Sequence, residues 1–227
     1  MEADAVRIRG LHKTFGKTVR LFGGLNMTVK FGEFVAVTGP TGAGKTTLIN
    51  LISGLDFPTE GSVEVFGKDL SKLTESRRAS IRAKDIGIVF QNSHLLSKLS
   101  VIENVQLPLI FSGSSNDDRE RIASGMLELI GLSKKKNLFP NTLSSGEIRK
   151  VAIARALATD PALLLLDEPT SDLDTSTVDA LLPLLRGYNY LHNRTIVLAT
   201  NSLKLARLAS REIRLGQPEL VVNAIQD

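Results

Sequence analysis

FVAVTGPTGAGKTTLINLISG, residues 34–54, is the stretch on which the fold turns. Phe34 to Thr38 reads as a short buried strand and Thr46 to Gly54 as a helix. Between them GPTGAGKT, Gly39 to Thr46, fits G-x-x-x-x-G-K-[ST] in the strand, loop, helix order that the motif needs. Glycines allow backbone angles closed to other residues, so successive N–H groups can turn inward on a phosphate. The next helix then presents its positive N-terminal end to the same anion. In that arrangement Lys45 neutralises charge on the terminal phosphates and the Thr46 hydroxyl binds Mg²⁺. A Gly-rich turn that binds nothing is the alternative, and the flanking strand and helix weigh against it.

Outward from this loop, short strand-like runs alternate with longer helical ones. Ile86 to Phe90 and Leu163 to Leu166 are strand-like, and Ser176 to Arg186 is helical. Thr195 to Thr200 is a further strand and Leu203 to Ala209 a further helix. Such alternation implies an α/β fold with a mostly parallel sheet, here a phosphate-loop core. Ala5 to Ile8, Leu25 to Val29 and Ser62 to Phe66 are short runs separated by glycines, expected as an N-terminal antiparallel β subdomain. From about 92 to 158 the chain reads as an inserted α-helical subdomain, with a polar Gly- and Ser-rich break from Ser112 to Asp118. Residues 1–227 are thus expected to form one domain, with that insert inside it.

A second chemical signal is LLLLDEP, Leu163 to Pro169, a strand apolar on both faces that ends in two acids. Ligands of open α/β sheets lie beyond the carboxyl ends of the strands, which would put Asp167 and Glu168 beside the phosphate loop. Asp167 suits the Mg²⁺ shell, reached through water, and Glu168 can polarise the water that attacks a γ-phosphate. A strand merely ending in surface acids would look the same in isolation.

Composition sets the outer limits. Ordinary apolar (42%) and charged (23%) fractions mark a globular chain without a long disordered tail. The richest apolar run, Ala162 to Leu166, stops at Asp167, far short of the length that spans a bilayer. Met1 to Arg9 carries acids and no apolar stretch, so no secretory signal is expected there. Disulfides and thiolate metal sites are excluded because cysteine is absent. The densest basic run, Lys134 to Lys136, reads as a solvated loop, and no aromatics are interleaved with basic residues. Nucleic acid is therefore not an expected partner.

Phosphate-loop proteins of many kinds share these features, and one further stretch separates them. LSSGE, Leu143 to Glu147, running into Ile148 to Leu157, resembles the signature motif and following helix of the ABC ATPases. The resemblance runs in order from Phe15 to Asn201. Ser144 and Glu147 also form an [ST]-x-x-E capping box, and both readings can hold. The resemblance implies a dimer, homo- or heteromeric, that sandwiches ATP between Gly39, Pro40, Thr41, Gly42, Ala43, Gly44, Lys45, Thr46 and Thr47 of one subunit and Ser144, Ser145, Gly146 and Glu147 of the other. It implies ATP and Mg²⁺ as cofactors and a lone subunit that hydrolyses poorly. Carried over singly, Phe15 takes the position whose ring stacks on adenine, unless it is a plain core aromatic. Gln91 takes that of the glutamine that contacts Mg²⁺ and links the core to the helical insert. Ser171 to Asp174 matches the loop that crosses the dimer interface, although Asp174 could simply cap the next helix.

Three positions depart from the expected pattern. Asn201 stands where the family places a histidine that holds the γ-phosphate and the attacking water. An amide can donate a hydrogen bond but cannot take up a proton, so slow hydrolysis with normal ATP binding is expected. His192 is a poor substitute, since it precedes the strand and should lie roughly 25 Å away. Ser145 replaces the first of two glycines in the signature and should weaken that site. Pro183 should kink or end the helix around it.

ENVQLPL, Glu103 to Leu109, with the Arg-rich approach Arg77 to Arg82, resembles the lipoprotein-release and macrolide-export branch. That branch implies membrane-spanning permease partners, a site on the cytoplasmic face of a membrane, and a coupling helix received near His94 to Leu99. A soluble assembly scaffold, or the regulatory slow-hydrolysing half of a heterodimer, is the alternative.

Overall fold

A computed structural model describes residues 4–16, 19–171, 173–216 and 219–220. Among the described residues ten strands and seven α-helices form two sheets and their coverings. The first sheet is built from β1 (Asp4–Phe15), β2 (Val19–Lys30), β4 (Glu60–Val65), β5 (Lys68–Asp69) and β10 (Glu219–Leu220), in the order β10-β2-β1-β4-β5, all antiparallel. The second contains β3 (Phe34–Thr38), β6 (Ile86–Val89), β7 (Leu163–Asp167), β8 (Thr195–Ala199) and β9 (Arg211–Arg214), in the order β6-β7-β8-β3-β9, all parallel. Helices α1 (Lys45–Ile52), α2 (Glu75–Asp85), α3 (Val101–Ser112), α4 (Asn116–Leu129), α5 (Ser145–Leu157), α6 (Thr175–His192) and α7 (Leu203–Ala206) complete the fold.

The parallel sheet divides the core by strand periodicity. In β7, Leu163 and Leu165 pack with α1 and the antiparallel sheet, whereas Leu164 and Leu166 pack with α5 and α6. β3 and β8 alternate likewise, with Val35 and Val197 on the first side and Phe34 and Ile196 on the second. All four leucines of β7 are fully buried, and each contributes about 1.5–3 kcal/mol of apolar burial. This is why the strand tolerates no polar residue until Asp167. A third cluster, with Val101, Val105, Leu109, Ala123, Leu127, Val151 and Ala154, joins α3, α4 and α5.

Several expectations need correction. Arg77 to Arg82, read only as a charged approach, lies in α2. Thr74 caps that helix, and both Arg78 and Arg82 pair with Glu75 in its first turn. Of the two outcomes expected at Pro183, a kink or an end, the end is excluded, since α6 continues to His192. Leu203 to Ala209 shortens to the single turn of α7, because Leu208 and Ala209 leave the helix before β9. The run Lys134 to Lys136 is not merely solvated: Lys135 Nζ lies 2.6 Å from Glu147 Oε1, inside the expected signature. Among the described residues no helix is long and apolar enough to cross a membrane.

Candidate nucleotide site

The fold brings β3, β7 and β8 to a common edge, where their carboxyl ends carry the phosphate loop, the acid pair and Asn201. A cavity of about 300 Å³ opens there, lined by Leu21, Thr41, Gly42, Gly44, Lys45, Thr46, Thr47, Gln91, Glu168 and Asn201. Gly44 is the N-cap of α1 at φ 93°, and a Cβ there would fall 2.8 Å from both Leu21 Cδ2 and Phe22 Cζ. Only glycine fits that turn without strain. The first-turn N–H groups of α1 have no acceptor within the helix and border the cavity, a ready site for an anion.

Lys45 is 7% exposed. Its ammonium donates to Gly39 O at 2.9 Å, Pro40 O at 3.4 Å and Asn201 Oδ1 at 3.0 Å, and lies 3.8 Å from Glu168 Oε1. Three donors thus serve three oxygens, all that an ammonium has. A phosphate entering the cavity must compete for them.

The two acids are held differently. Asp167 is almost fully buried. Burial raises its pKa above the usual carboxylate range, against the opposing influence of the Thr46 hydrogen bond and of the Lys45 and Arg149 charges. Glu168 occupies the left-handed region at φ 43°, a strain of about 1–3 kcal/mol for a non-glycine residue. Its neighbours hold it there. The Glu168 N–H donates to Ala199 O, its carbonyl accepts from Ser171, and Oε2 accepts from Thr200 Oγ1 at 3.3 Å and from the Asn201 N–H at 3.2 Å. Asp167 Oδ1 and Glu168 Oε1 are buried without a hydrogen-bond partner among the described residues. Unsatisfied carboxylate oxygens beside the Thr46 hydroxyl are the hard donors that Mg²⁺ prefers, so the residues present fit that ion.

The remaining positions scatter around this centre. Gln91 reaches the cavity from the end of β6. Phe15 is 45% exposed at the end of β1, with Lys13 Nζ 4.9 Å from its ring centroid, so it is not a core aromatic. Ser144 caps α5 in a reciprocal box with Glu147. Ser144 and Ser145 are exposed, Gly146 packs against Thr177, and none of Ser144 to Glu147 lines the cavity. Lys135 holds the Glu147 carboxyl below the usual range. Asp174 caps α6, accepting from the Thr177 N–H at 2.9 Å and from the hydroxyls of Ser176 and Thr177. These donors hold its carboxyl far below the ordinary range. Asp172 lies outside the described residues. His192 stacks on Tyr188 and borders a different cavity, away from Asn201.

Four residues that matter locally escape a reading of the sequence. Leu21 of β2 forms one cavity wall. Asn104, fully buried in α3, accepts from Leu96 N and donates to the carbonyls of Leu96, Leu99 and Ser100, pinning the loop before the helix. Arg149 and Arg155 of α5 donate to four carbonyls between Phe90 and His94. A polar residue at an otherwise apolar helical position, as in Ile102-Glu-Asn-Val105, is the only signal that could have flagged Asn104.

Comparison with known proteins agrees with this geometry. The profile of the ABC transporter family matches residues 22–171. The macrolide export ATP-binding/permease protein MacB of Rhodopirellula baltica is 40% identical over 215 residues, 92% of this chain but only 31% of MacB. The chain therefore spans less than a third of that relative. An uncharacterized ABC transporter ATP-binding protein of Methanocaldococcus jannaschii, MJ1508, is 37% identical over 95% of this chain and 97% of its own. In structure, the dimeric post-hydrolysis ATP-binding cassette MJ0796 bound to ADP and Pi superposes with a TM-score of 0.88 at 35% identity, covering 96% of this chain and 99% of that one. Agreement of sequence and fold along nearly the whole of both chains leaves one assignment: the chain belongs to the ABC transporter family, as one of its ATP-binding cassettes.

Proposed function

We propose that the chain is one half of an ATP sandwich that drives a membrane-embedded partner from the cytoplasmic face. One observation carries this reading. The cavity around Lys45 is half a site, because the capped start of α5 is exposed and contributes nothing to it. In a pair, Ser144 to Glu147 of the second subunit, a copy of this chain or a related cassette, would close over ATP held by Gly39 to Thr47. Phe15 offers its exposed face to the adenine. Lys45 exchanges carbonyl and amide contacts for the β- and γ-phosphates. Bound Mg²⁺ would neutralise charge on those phosphates, held by Thr46, Gln91 and, through water, Asp167. Glu168 takes a proton from the attacking water as that water displaces ADP from the γ-phosphorus. Loss of the γ-phosphate link then loosens the pair and moves what is attached to it.

The partner reading rests on a groove between α2 and α3. It is a cavity of about 770 Å³ lined by Ala79, Ala83, Pro108 and Phe111 among others, with Phe111 73% exposed. With Ser76, Ser80, Arg82 and Lys84 also in its lining it suits an amphipathic helix from a permease, in keeping with the ATP-binding/permease relative, although none of His94 to Leu99, where the coupling helix is expected, lines it. Asn201 and Ser145 favour a second reading, the slow half of a mixed pair.

ATP hydrolysis measured against protein concentration, with Glu168→Gln as the blank, tests the sandwich. The rate per chain should rise with concentration, and Glu168→Gln should fall by roughly 10²-fold or more. A concentration-independent rate that Glu168→Gln leaves intact overturns the reading.

A further inference from the structure

The nucleotide site uses Gln91 but leaves unexplained why a full positive charge is buried behind it. Arg149 lies in α5, whose N-terminus is the Ser144 cap, and is only 7% exposed. Its Nη1 donates to Phe90 O at 2.7 Å and its Nη2 to Gln91 O at 2.6 Å, gripping two successive peptide groups where β6 gives way to the Gln91 loop. Its charge is felt at Asp167 on the neighbouring strand. Arg155, further along the same helix, donates to Ser93 O at 2.7 Å and His94 O at 2.8 Å. The strip 90–94 is thus hung by four carbonyls on one helix.

Burying a guanidinium costs several kcal/mol unless partners compensate, and packing alone would be served as well by Leu or Met. A planar fork, by contrast, can hold two adjacent carbonyls at once, which the point charge of Lys does less well. The grip fixes the peptide of Gln91, a residue that lines the cavity together with Lys45, Glu168 and Asn201. A shift of the signature end of α5 must therefore be passed to Gln91 through the backbone that Arg149 holds.

We propose that Arg149 is a positioning residue that makes the placement of Gln91, and with it Mg²⁺-dependent ATP binding and turnover, depend on the orientation of the signature helix. This rests on the nucleotide-site reading above.

The test is a double-mutant cycle of Arg149→Met and Gln91→Ala in the full chain, with Arg149→Lys as the milder variant should Arg149→Met fail to fold. ATP affinity is measured in Mg²⁺ and in EDTA, and turnover at saturating ATP against Mg²⁺ concentration. Expected for Arg149→Met are an EDTA affinity within threefold of wild type, at least fivefold loss of the tightening that Mg²⁺ gives, a KM for ATP in Mg²⁺ that rises in step with that loss, and turnover at saturating ATP down tenfold or more. Arg149→Lys should recover part of both losses. In the Gln91→Ala background, Arg149→Met should add less than threefold, because the path it acts through is already cut. Losses that multiply across the two sites, or an equal fall in EDTA and Mg²⁺ affinity, overturn the proposal. Failure of the underlying reading looks different: Glu168→Gln would then leave turnover untouched.

Discussion

Replacing Asn201 by histidine should raise ATP turnover by roughly 10- to 150-fold. An ammonium has donors only, so Asn201 must turn its carbonyl oxygen toward Lys45 Nζ at 3.0 Å, which points its NH₂ away. That NH₂ has no partner among the described residues, and an amide there cannot take up a proton. The backbone contribution survives any side chain, since the Asn201 N–H donates to Glu168 Oε2 at 3.2 Å. Imidazole adds reach and a titrating nitrogen. One charge-assisted hydrogen bond made only in the transition state is worth about 1.5–3 kcal/mol, and about 1.36 kcal/mol is tenfold in rate, which sets the range. ATP affinity should change only a few-fold, because of the three contacts that Lys45 gives up for phosphate the substitution alters only that to Asn201 and leaves those to Gly39 O and Pro40 O. Steady-state phosphate release at saturating ATP and Mg²⁺, with Glu168→Gln as the blank, measures the effect. The gained activity should carry a pH limb near the ordinary imidazole pKa of about 6.5, which wild type lacks. Turnover within threefold of wild type, in a folded variant that still binds ATP, would refute the reasoning.

Two further outcomes follow from burial and backbone chemistry. Asp167 has its pKa raised by burial, so the folded chain favours its protonated form, and the stability this confers is lost as pH rises through the raised pKa. Nucleotide-free Asp167→Asn, neutral and of the same shape, should therefore melt above wild type near pH 7.5, with the gap narrowing in acid. Saturating Mg²⁺ and ATP should reverse the order, and a lower melting point for the variant without nucleotide contradicts the burial argument. Pro183 sits inside α6 and leaves the Asp179 carbonyl without a helical N–H. Pro183→Ala should stabilise by up to about 3 kcal/mol, at about 2–4 °C of Tm per kcal/mol, read by thermal unfolding; an unchanged Tm would mean that the helix has already relaxed around the ring.

Local pattern carried most of the architecture. Apolar runs such as Phe34 to Thr38 and Leu163 to Leu166 announce strands buried on both faces, because burial on two sides forbids alternation with polar residues. The capping box of Ser144 and Glu147 lies within four residues and is as visible in the chain as in the fold. Where the apolar pattern thins, no element is announced. Arg77 to Arg82 hid a helix because its apolar face is reduced to Ile81 as the one buried side chain.

The sequence alone settled which chemistry the chain carries. A phosphate loop, a strand ending in Asp-Glu and a capped LSSGE helix are short-range patterns whose residue types and spacing are the chemistry. Only the tertiary structure decided how they meet. Lys45 lies 156 positions from Asn201 and Arg149 lies 58 from Gln91, and nothing in local propensity states that these atoms come within 3 Å. Parallel strand order and the packing of α5 against the end of β6 bring them together. Sheet pairing and core burial are non-local, so the lysine–asparagine contact, the strained Glu168 and the arginine grip on the Gln91 loop emerge only once the whole chain has closed on itself.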